Sequence, residues 1–88
     1  MKWEELKKLV IAEYDRRNLA TNRRNSSINR IEKYIKSNFQ TMEPIKLLLQ
    51  TDKEILKKQY KEFLGVNKLN SADNSCINEI YNQLNKSN

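Results

Sequence analysis

The sequence predicts a small all-α protein, folded as a single-domain bundle of four or five short helices. Only one glycine and one proline occur among its 88 residues, so little interrupts helix formation. The apolar residues recur at intervals of three and four, which is the spacing of one helical face, and no alternation typical of a strand persists. Because a chain of this length usually forms one domain, residues 1–88 are expected to share one core.

The first helix is expected to run from Trp3 to about Arg17. Its apolar face is Trp3, Leu6, Leu9, Val10 and Tyr14. A polar stretch over residues 18–27 then interrupts the spacing. We therefore expect the second helix to begin at Ser26 or Ser27, either of which can cap it, and to end near Asn38. Its apolar face is Ile28, Ile31 and Ile35.

Local start and stop signals predict the remaining helices. Pro44 suits the first position of a short helix, where a missing amide hydrogen has no partner anyway. Thr51 and Glu54 match a capping box that opens the next helix, and Gly65 is well placed to end that helix. Alternatively, the helix that starts at Pro44 and the helix that follows Thr51 form one bent helix. The last helix should open at residue 70 or 71. The apolar residues assigned to these helices are Ile45, Leu48, Leu49, Ile55, Leu56, Tyr60, Phe63, Leu64, Cys76, Ile77, Ile80, Tyr81 and Leu84.

The positive charge is concentrated in residues 16–36, called here the basic segment. The chain has 17 basic and 11 acidic side chains, a net charge of +6. The basic segment contains seven bases and one acid, Glu32, so it carries the whole excess. Such a surface attracts polyanions, although a solvated helix face is the plain alternative. The seven bases are Arg16, Arg17, Arg23, Arg24, Arg30, Lys33 and Lys36.

This segment predicts a non-enzymatic nucleic-acid-binding module, with duplex DNA as the favoured partner. Arg23 and Arg24 precede the expected start of the second helix, whose free amides and dipole also attract phosphate. We assign them the central contact and the other five bases its flanks. Neutral hydrogen bonds to the phosphate backbone are assigned to Thr21, Asn22, Ser26 and Ser27. Three later lysines are interpreted as ordinary surface pairs, because Glu54 and Glu62 offset them; they are Lys57, Lys58 and Lys61.

Several absences argue against an enzyme and against a cofactor. The chain has no histidine, which removes the usual general base and the common His-metal and Ser-His arrangements. Cys76 lies on an apolar face and is interpreted as a buried structural thiol. One glycine cannot form a phosphate-cradling loop. No carboxylate spacing indicates a metal site.

The sequence also favours a cytoplasmic protein without membrane insertion. A single cysteine cannot form an intramolecular disulfide, which fits a reducing compartment. The longest apolar run, residues 9–12, is far shorter than the ~20 residues that span a bilayer. The first residues do not resemble a secretory signal. The oligomeric state is not indicated.

One family resemblance follows from the polar turn and the helices around it. The run Leu19-Ala20-Thr21-Asn22-Arg23-Arg24, followed by Ile28, Ile31 and Ile35, is similar to the opening of the core-binding domain of tyrosine recombinases, the phage-type integrases. Thr51-Asp52-Lys53-Glu54-Ile55 and Leu69-Asn70-Ser71 are similar to later helix starts in those domains. The resemblance implies a SAM-like bundle from a phage or mobile element that grips duplex DNA without chemistry.

The alternative function is a small protein-binding module. Bacteriocin immunity proteins and phage-encoded inhibitors of host proteins are helical proteins of comparable size. Such a module binds through exposed aromatic or apolar anchors, and the basic segment would then recognise an acidic protein partner. The candidate anchors are Trp3, Tyr34, Phe39 and Met42, each of which could instead pack in the core.

Overall fold

Five helices make up the protein in the computed structural model, which describes residues 1–19, 21–38 and 43–87, without the side chains of residues 21, 23, 38 and 87. No strand occurs within those ranges. The prediction of an all-α bundle is confirmed. The helices are α1 (Trp3–Arg16), α2 (Thr21–Asn38), α3 (Pro44–Gln50), α4 (Lys53–Leu64) and α5 (Ser71–Ser87). None of the helices in the described ranges is long and apolar enough to cross a membrane.

The helix α5 is the centre of the bundle. It packs against α1, α2 and α4, while α2 also contacts α1 and α4. The apolar faces of all five helices meet in one core. Fully burying each large aliphatic side chain there contributes about 1.5–3 kcal/mol, so this shared core holds the helices together. Its fully buried aliphatic members include Leu6, Val10, Ile28, Ile31, Ile35, Leu48, Leu56, Ile77, Ile80 and Leu84.

The second helix begins earlier than its apolar spacing predicts. After α1, Asn18 takes a left-handed backbone conformation with φ of 56°, which asparagine tolerates better than most residues. The chain then enters α2 at Thr21, so the predicted start at Ser26 or Ser27 is wrong. Ser26 lies inside the helix, where its hydroxyl donates to the carbonyl of Asn22 at 3.0 Å. The first turns of α2 are polar and therefore carry no apolar periodicity.

Local signals placed the boundaries of α3 and α4 more accurately. Pro44 is the first residue of α3, as predicted, and Gly65 ends α4 in the left-handed region with φ of 71°. Extended backbone at Thr51 separates the two helices, so they do not form one bent helix. The predicted cap at Thr51 is wrong by one residue, because the carboxylate of Asp52 accepts the backbone N–H of Glu54 at 3.1 Å.

The exposure of several apolar residues differs from the prediction. Leu9 is 39% exposed and Leu49 is 54% exposed, while Leu47, which the spacing did not select, is buried. Phe63 contacts Tyr34 with the two rings tilted by 54° and their centroids 5.0 Å apart, and about half of the Phe63 surface stays exposed to solvent. Because each helix contacts neighbours over only part of its circumference, the widest apolar stripes extend beyond the core. The exposed large apolar residues of α4 and the turn after it are Ile55, Phe63, Leu64 and Val66.

Candidate nucleic-acid interface

The basic segment lies on the end of α1, the following turn and most of α2. Burial of the isoleucines at positions 28, 31 and 35 fixes the orientation of α2. The opposite side of the helix faces solvent and carries Asn22, Ser26, Arg30, Lys33 and Lys36. Ser27, assigned a phosphate contact, is instead fully buried. Its hydroxyl oxygen accepts a hydrogen bond from Arg30 Nη2 at 3.2 Å. Ser27 therefore belongs to the interior of the protein and not to its solvent-facing surface.

The two arginines at the end of α1 surround one carboxylate. Glu13 accepts hydrogen bonds from Arg16 Nε and Arg17 Nε, both at 2.9 Å. The hydrogen bond from Arg16, followed by the charges of both arginines, lowers the pKa of Glu13 to about 2. Arg17 also lies 3.5 Å from the buried carboxylate of Glu79. The side chains of Arg16 and Arg17 are still 68% and 46% exposed while they contact these carboxylates.

Arg30 pairs with Asp73, the least exposed side chain in any ion pair of the described residues. Its Nη2 donates to Asp73 Oδ1 at 2.7 Å, and the Asp73 side chain is only 1% exposed. Burial acts to lower the pKa of Arg30, but the hydrogen bond and charge of Asp73 outweigh it and raise that pKa. Asn70 also contacts Asp73, because Asn70 Oδ1 accepts a hydrogen bond from the backbone N–H of Asp73 at 2.8 Å. The pair therefore joins α2 to the first turn of α5.

The only acid of the basic segment organises a second group of contacts. Glu32 accepts hydrogen bonds from the indole Nε1 of Trp3 and from Lys7 Nζ, the latter at 3.2 Å. Lys36 Nζ lies 3.4 Å from the same carboxylate and 3.9 Å from Glu4. Burial acts to raise the pKa of Glu32, but the hydrogen bonds from Trp3 and Lys7 outweigh it, so this pKa is lowered. This cluster ties α1 to α2.

Arg24 lies in the first turn of α2, and not before the helix as predicted, with its side chain against an aromatic ring. Its guanidinium is 5.2 Å from the centroid of the Tyr14 ring, a cation–π geometry. Behind Tyr14 is Cys76, which is fully buried as predicted, and burial raises the pKa of its thiol to about 11. The side chains of Arg23 and Thr21 lie outside the described residues, so the central contact assigned to Arg23 stays a prediction.

Folding therefore brings acids to the basic segment that its local sequence does not contain. Four of its bases face carboxylates, and the charge count within residues 16–36 missed four of these acids: Glu4, Glu13, Asp73 and Glu79. Among the described side chains of the segment, Lys33 alone is a base with neither an ion pair nor an aromatic partner. The spacing of Glu13 from Arg16 and Arg17 was a usable signal, because residues three and four apart share a helix face. No local signal marks Asp73 or Glu79.

The α4 lysines follow their predicted pairing only in part. Lys57 Nζ lies 3.8 Å from Glu54. Lys58 and Lys61 form no ion pair with any residue in the described ranges, and the same holds for Glu62. The interpretation of all three lysines as offset surface pairs is therefore wrong for two of them. Their positive charge remains available on the outer side of α4.

The candidate anchors for a protein partner, and the groups that could hold a metal ion, can be compared with the structure. Trp3 and Tyr34 are each only 4% exposed, so they are core residues rather than surface anchors. Phe39 and Met42 lie outside the described residues. Within the part of the chain that the structure describes, no group of three or more His, Cys, Asp or Glu side chains could hold a metal ion.

No protein-family model, no curated protein and no solved structure matches this chain. The similarity to the core-binding domain of tyrosine recombinases accordingly stays a prediction from the sequence.

Proposed function

We propose that this protein is a non-enzymatic nucleic-acid-binding module that contacts the phosphate backbone of duplex DNA through the basic segment. The observation that supports this proposal is that several of its cations are exposed to solvent and at the same time paired with a neighbouring carboxylate. Arg16, Arg30 and Lys36 keep side-chain exposures of 68%, 45% and 56% while neighbouring carboxylates hold them. Side chains held in this way lose less conformational entropy when a ligand binds.

The ion pairs leave hydrogen-bond donors free for a ligand. A guanidinium has five N–H donors, and Arg30 uses one nitrogen, Nη2, for both Asp73 and Ser27. Its remaining donors can reach a phosphate oxygen from the exposed side. Lys33, one helical turn further along α2, has all three ammonium donors available. The carboxylates reduce the net positive field, so the affinity for DNA is expected to be moderate. Because the contacts are to phosphates, this affinity should depend strongly on the salt concentration.

A salt-dependent titration of labelled duplex DNA by fluorescence anisotropy tests the proposal. The expected result is micromolar or tighter binding at low salt, with a log–log slope for about four to six phosphate contacts at ~0.9 per contact. Changing Arg23→Gln together with Lys33→Gln should reduce the slope by about 1.8, since two contacts are removed. No binding of the unchanged protein at low salt would refute the proposed function.

A matched control separates a specific surface from net charge. Lys8→Gln with Lys46→Gln removes the same charge from two exposed lysines outside the basic segment. This control should leave the slope within about 0.5 of the original value. Equal losses in the two double variants would show that the basic segment is not the contact surface.

A protein-binding module is the second candidate, and the exposed apolar residues of α4 favour it. Ile55 and Phe63 are each 51% exposed, and Leu64 and Val66 follow close by. Clusters of exposed apolar residues often form protein interfaces. A protein partner becomes the working explanation if duplex DNA fails to bind at low salt.

A further inference from the structure

A groove between α4 and the start of α5 is a second basic surface, separate from the basic segment. It is open to solvent and has a volume of about 920 Å³. Lysines from both sides line it, together with polar side chains that can donate hydrogen bonds. The lining residues are Glu54, Lys57, Lys58, Lys61, Asn67, Lys68, Leu69, Asn70, Ser71 and Asn74. We call this the α4–α5 groove.

The charge in the α4–α5 groove is poorly neutralised. Four lysines line it against one carboxylate, Glu54, which is 71% exposed and 3.8 Å from Lys57 Nζ. Lys58, Lys61 and Lys68 have no ion-pair partner in residues 1–19, 21–38 and 43–87. In the basic segment, by contrast, Arg16, Arg17, Arg30 and Lys36 all contact acids. A concave surface lined by one sign of charge focuses the electric field and concentrates counter-ions.

The attraction of the α4–α5 groove for anions comes from its lysines and not from the N-terminal end of α5. The first turn of α5 is already capped, because Asn70 Oδ1 accepts the backbone N–H of Asp73. On α4, side chains three and four positions apart have Cβ atoms ~5–6 Å apart, so the lysines at 57, 58 and 61 can all face one ligand. Lys68 approaches from the turn opposite. Asn67, Ser71 and Asn74 add neutral donors between the charges.

The lining favours a phosphate backbone over stacked bases. None of the lining residues that the structure describes is aromatic, and single-strand binders generally stack bases on aromatic side chains. The groove also adjoins the basic segment: Asn70 Nδ2 is 3.4 Å from Asp73 Oδ2, and Asp73 Oδ1 accepts from Arg30. One extended polyanion can therefore contact both surfaces.

We propose that the α4–α5 groove binds the phosphodiester backbone of duplex DNA, with Lys58, Lys61 and Lys68 as its main contacts. This proposal rests on the proposed function and adds a surface that the charge distribution along the sequence did not indicate. The long flexible stems of the lysines let three ammonium groups follow successive phosphates. Lys57, held by Glu54, is assigned a supporting position at the edge.

The test compares two triple variants with the same change in charge. The first is Lys58→Gln, Lys61→Gln and Lys68→Gln. The control is Lys8→Gln, Lys46→Gln and Lys86→Gln, three exposed lysines outside the groove. Anisotropy of labelled duplex DNA is measured from about 50 to 200 mM salt, and circular dichroism verifies that both variants keep their helices. An unlabelled single strand with the same number of phosphates is the competitor.

The groove variant should lose about 2.7 from the log–log salt slope, three contacts at ~0.9 each, and the control less than 1. At about 100 mM salt this corresponds to at least a tenfold larger loss of affinity than in the control. Equal losses in the two variants, with binding by the unchanged protein, would overturn the groove and leave the proposed function standing. Equal competition by the single strand would overturn the assignment to duplex. Absence of binding by the unchanged protein would refute both proposals.

Discussion

Replacing Arg30 with methionine should destabilise the protein by about 2 kcal/mol. A buried ion pair that loses one partner costs about 3–5 kcal/mol, since an uncompensated charge remains in the interior. Asp73 is that charge, and its side chain is 1% exposed. Two features reduce the value here: Arg30 is 45% exposed, so water can reach the vacated side, and Asn70 continues to donate to Asp73. Methionine keeps most of the apolar stem.

The loss is measurable by urea or thermal unfolding followed by circular dichroism. For a domain of this size, about 2 kcal/mol corresponds to a fall in Tm of about 8–16 °C. Lys33→Met is the matched control, because it removes an exposed cation without an ion pair from the same helix. This control should stay within about 0.5 kcal/mol of the original protein.

A double-mutant cycle with Asp73→Asn isolates the pair. With the carboxylate gone, Arg30→Met should cost only about 0.5 kcal/mol, so the coupling energy is about 1.5 kcal/mol. If Arg30→Met destabilises the protein no more than Lys33→Met, or if the coupling is near zero, the interaction does not support the fold. In that case Arg30 would be as free for phosphate as Lys33.

Two further predictions concern contacts between helices. A carboxyl whose pKa is lower in the folded than in the unfolded state stabilises the protein above the unfolded pKa and loses that contribution as the pH falls through the folded pKa. Glu32 is such a group. Glu32→Gln should therefore reduce the free energy of unfolding by about 1–2 kcal/mol at pH 7 and by much less at pH 2. An equal loss of stability at the two pH values would contradict this prediction. Tyr81→Phe removes the hydroxyl that donates to the Thr51 carbonyl at 2.8 Å and should cost about 1 kcal/mol in urea unfolding; an unchanged midpoint would show that water replaces this bond without loss.

Features set by one residue and its immediate neighbours could be predicted from the sequence. Pro44 and Gly65 determine helix boundaries through backbone restrictions of their own, and both lie where these restrictions predict. The start of α2 at Thr21 was missed because its first turns are polar and its apolar face begins only at Ile28. The better signal there was Asn18, since a left-handed asparagine commonly ends a helix.

The candidate site could be predicted less well, because its chemistry depends on contacts between distant residues. Asp73 is 43 positions from Arg30, so a count of charges along the chain treats them as unrelated. The α4–α5 groove was missed for the converse reason. Glu62 lies beside the α4 lysines in sequence but pairs with none of them among the described residues. Charge composition locates ionisable groups along the chain, whereas packing decides which of them neutralise one another.

The central position of α5 has a consequence for how the chain reaches this structure. Docking α5 on α1 joins the helices that are farthest apart in sequence, and closing so long a loop is entropically unfavourable. Contacts of this kind slow folding relative to bundles built from neighbouring helices. While the chain is being synthesised, α1, α2 and α4 can contact one another only in part, and the parts of their apolar faces that α5 covers remain exposed. Stable folding must therefore await residues 71–87, and until then the nascent chain exposes the surfaces that chaperones bind and that drive aggregation.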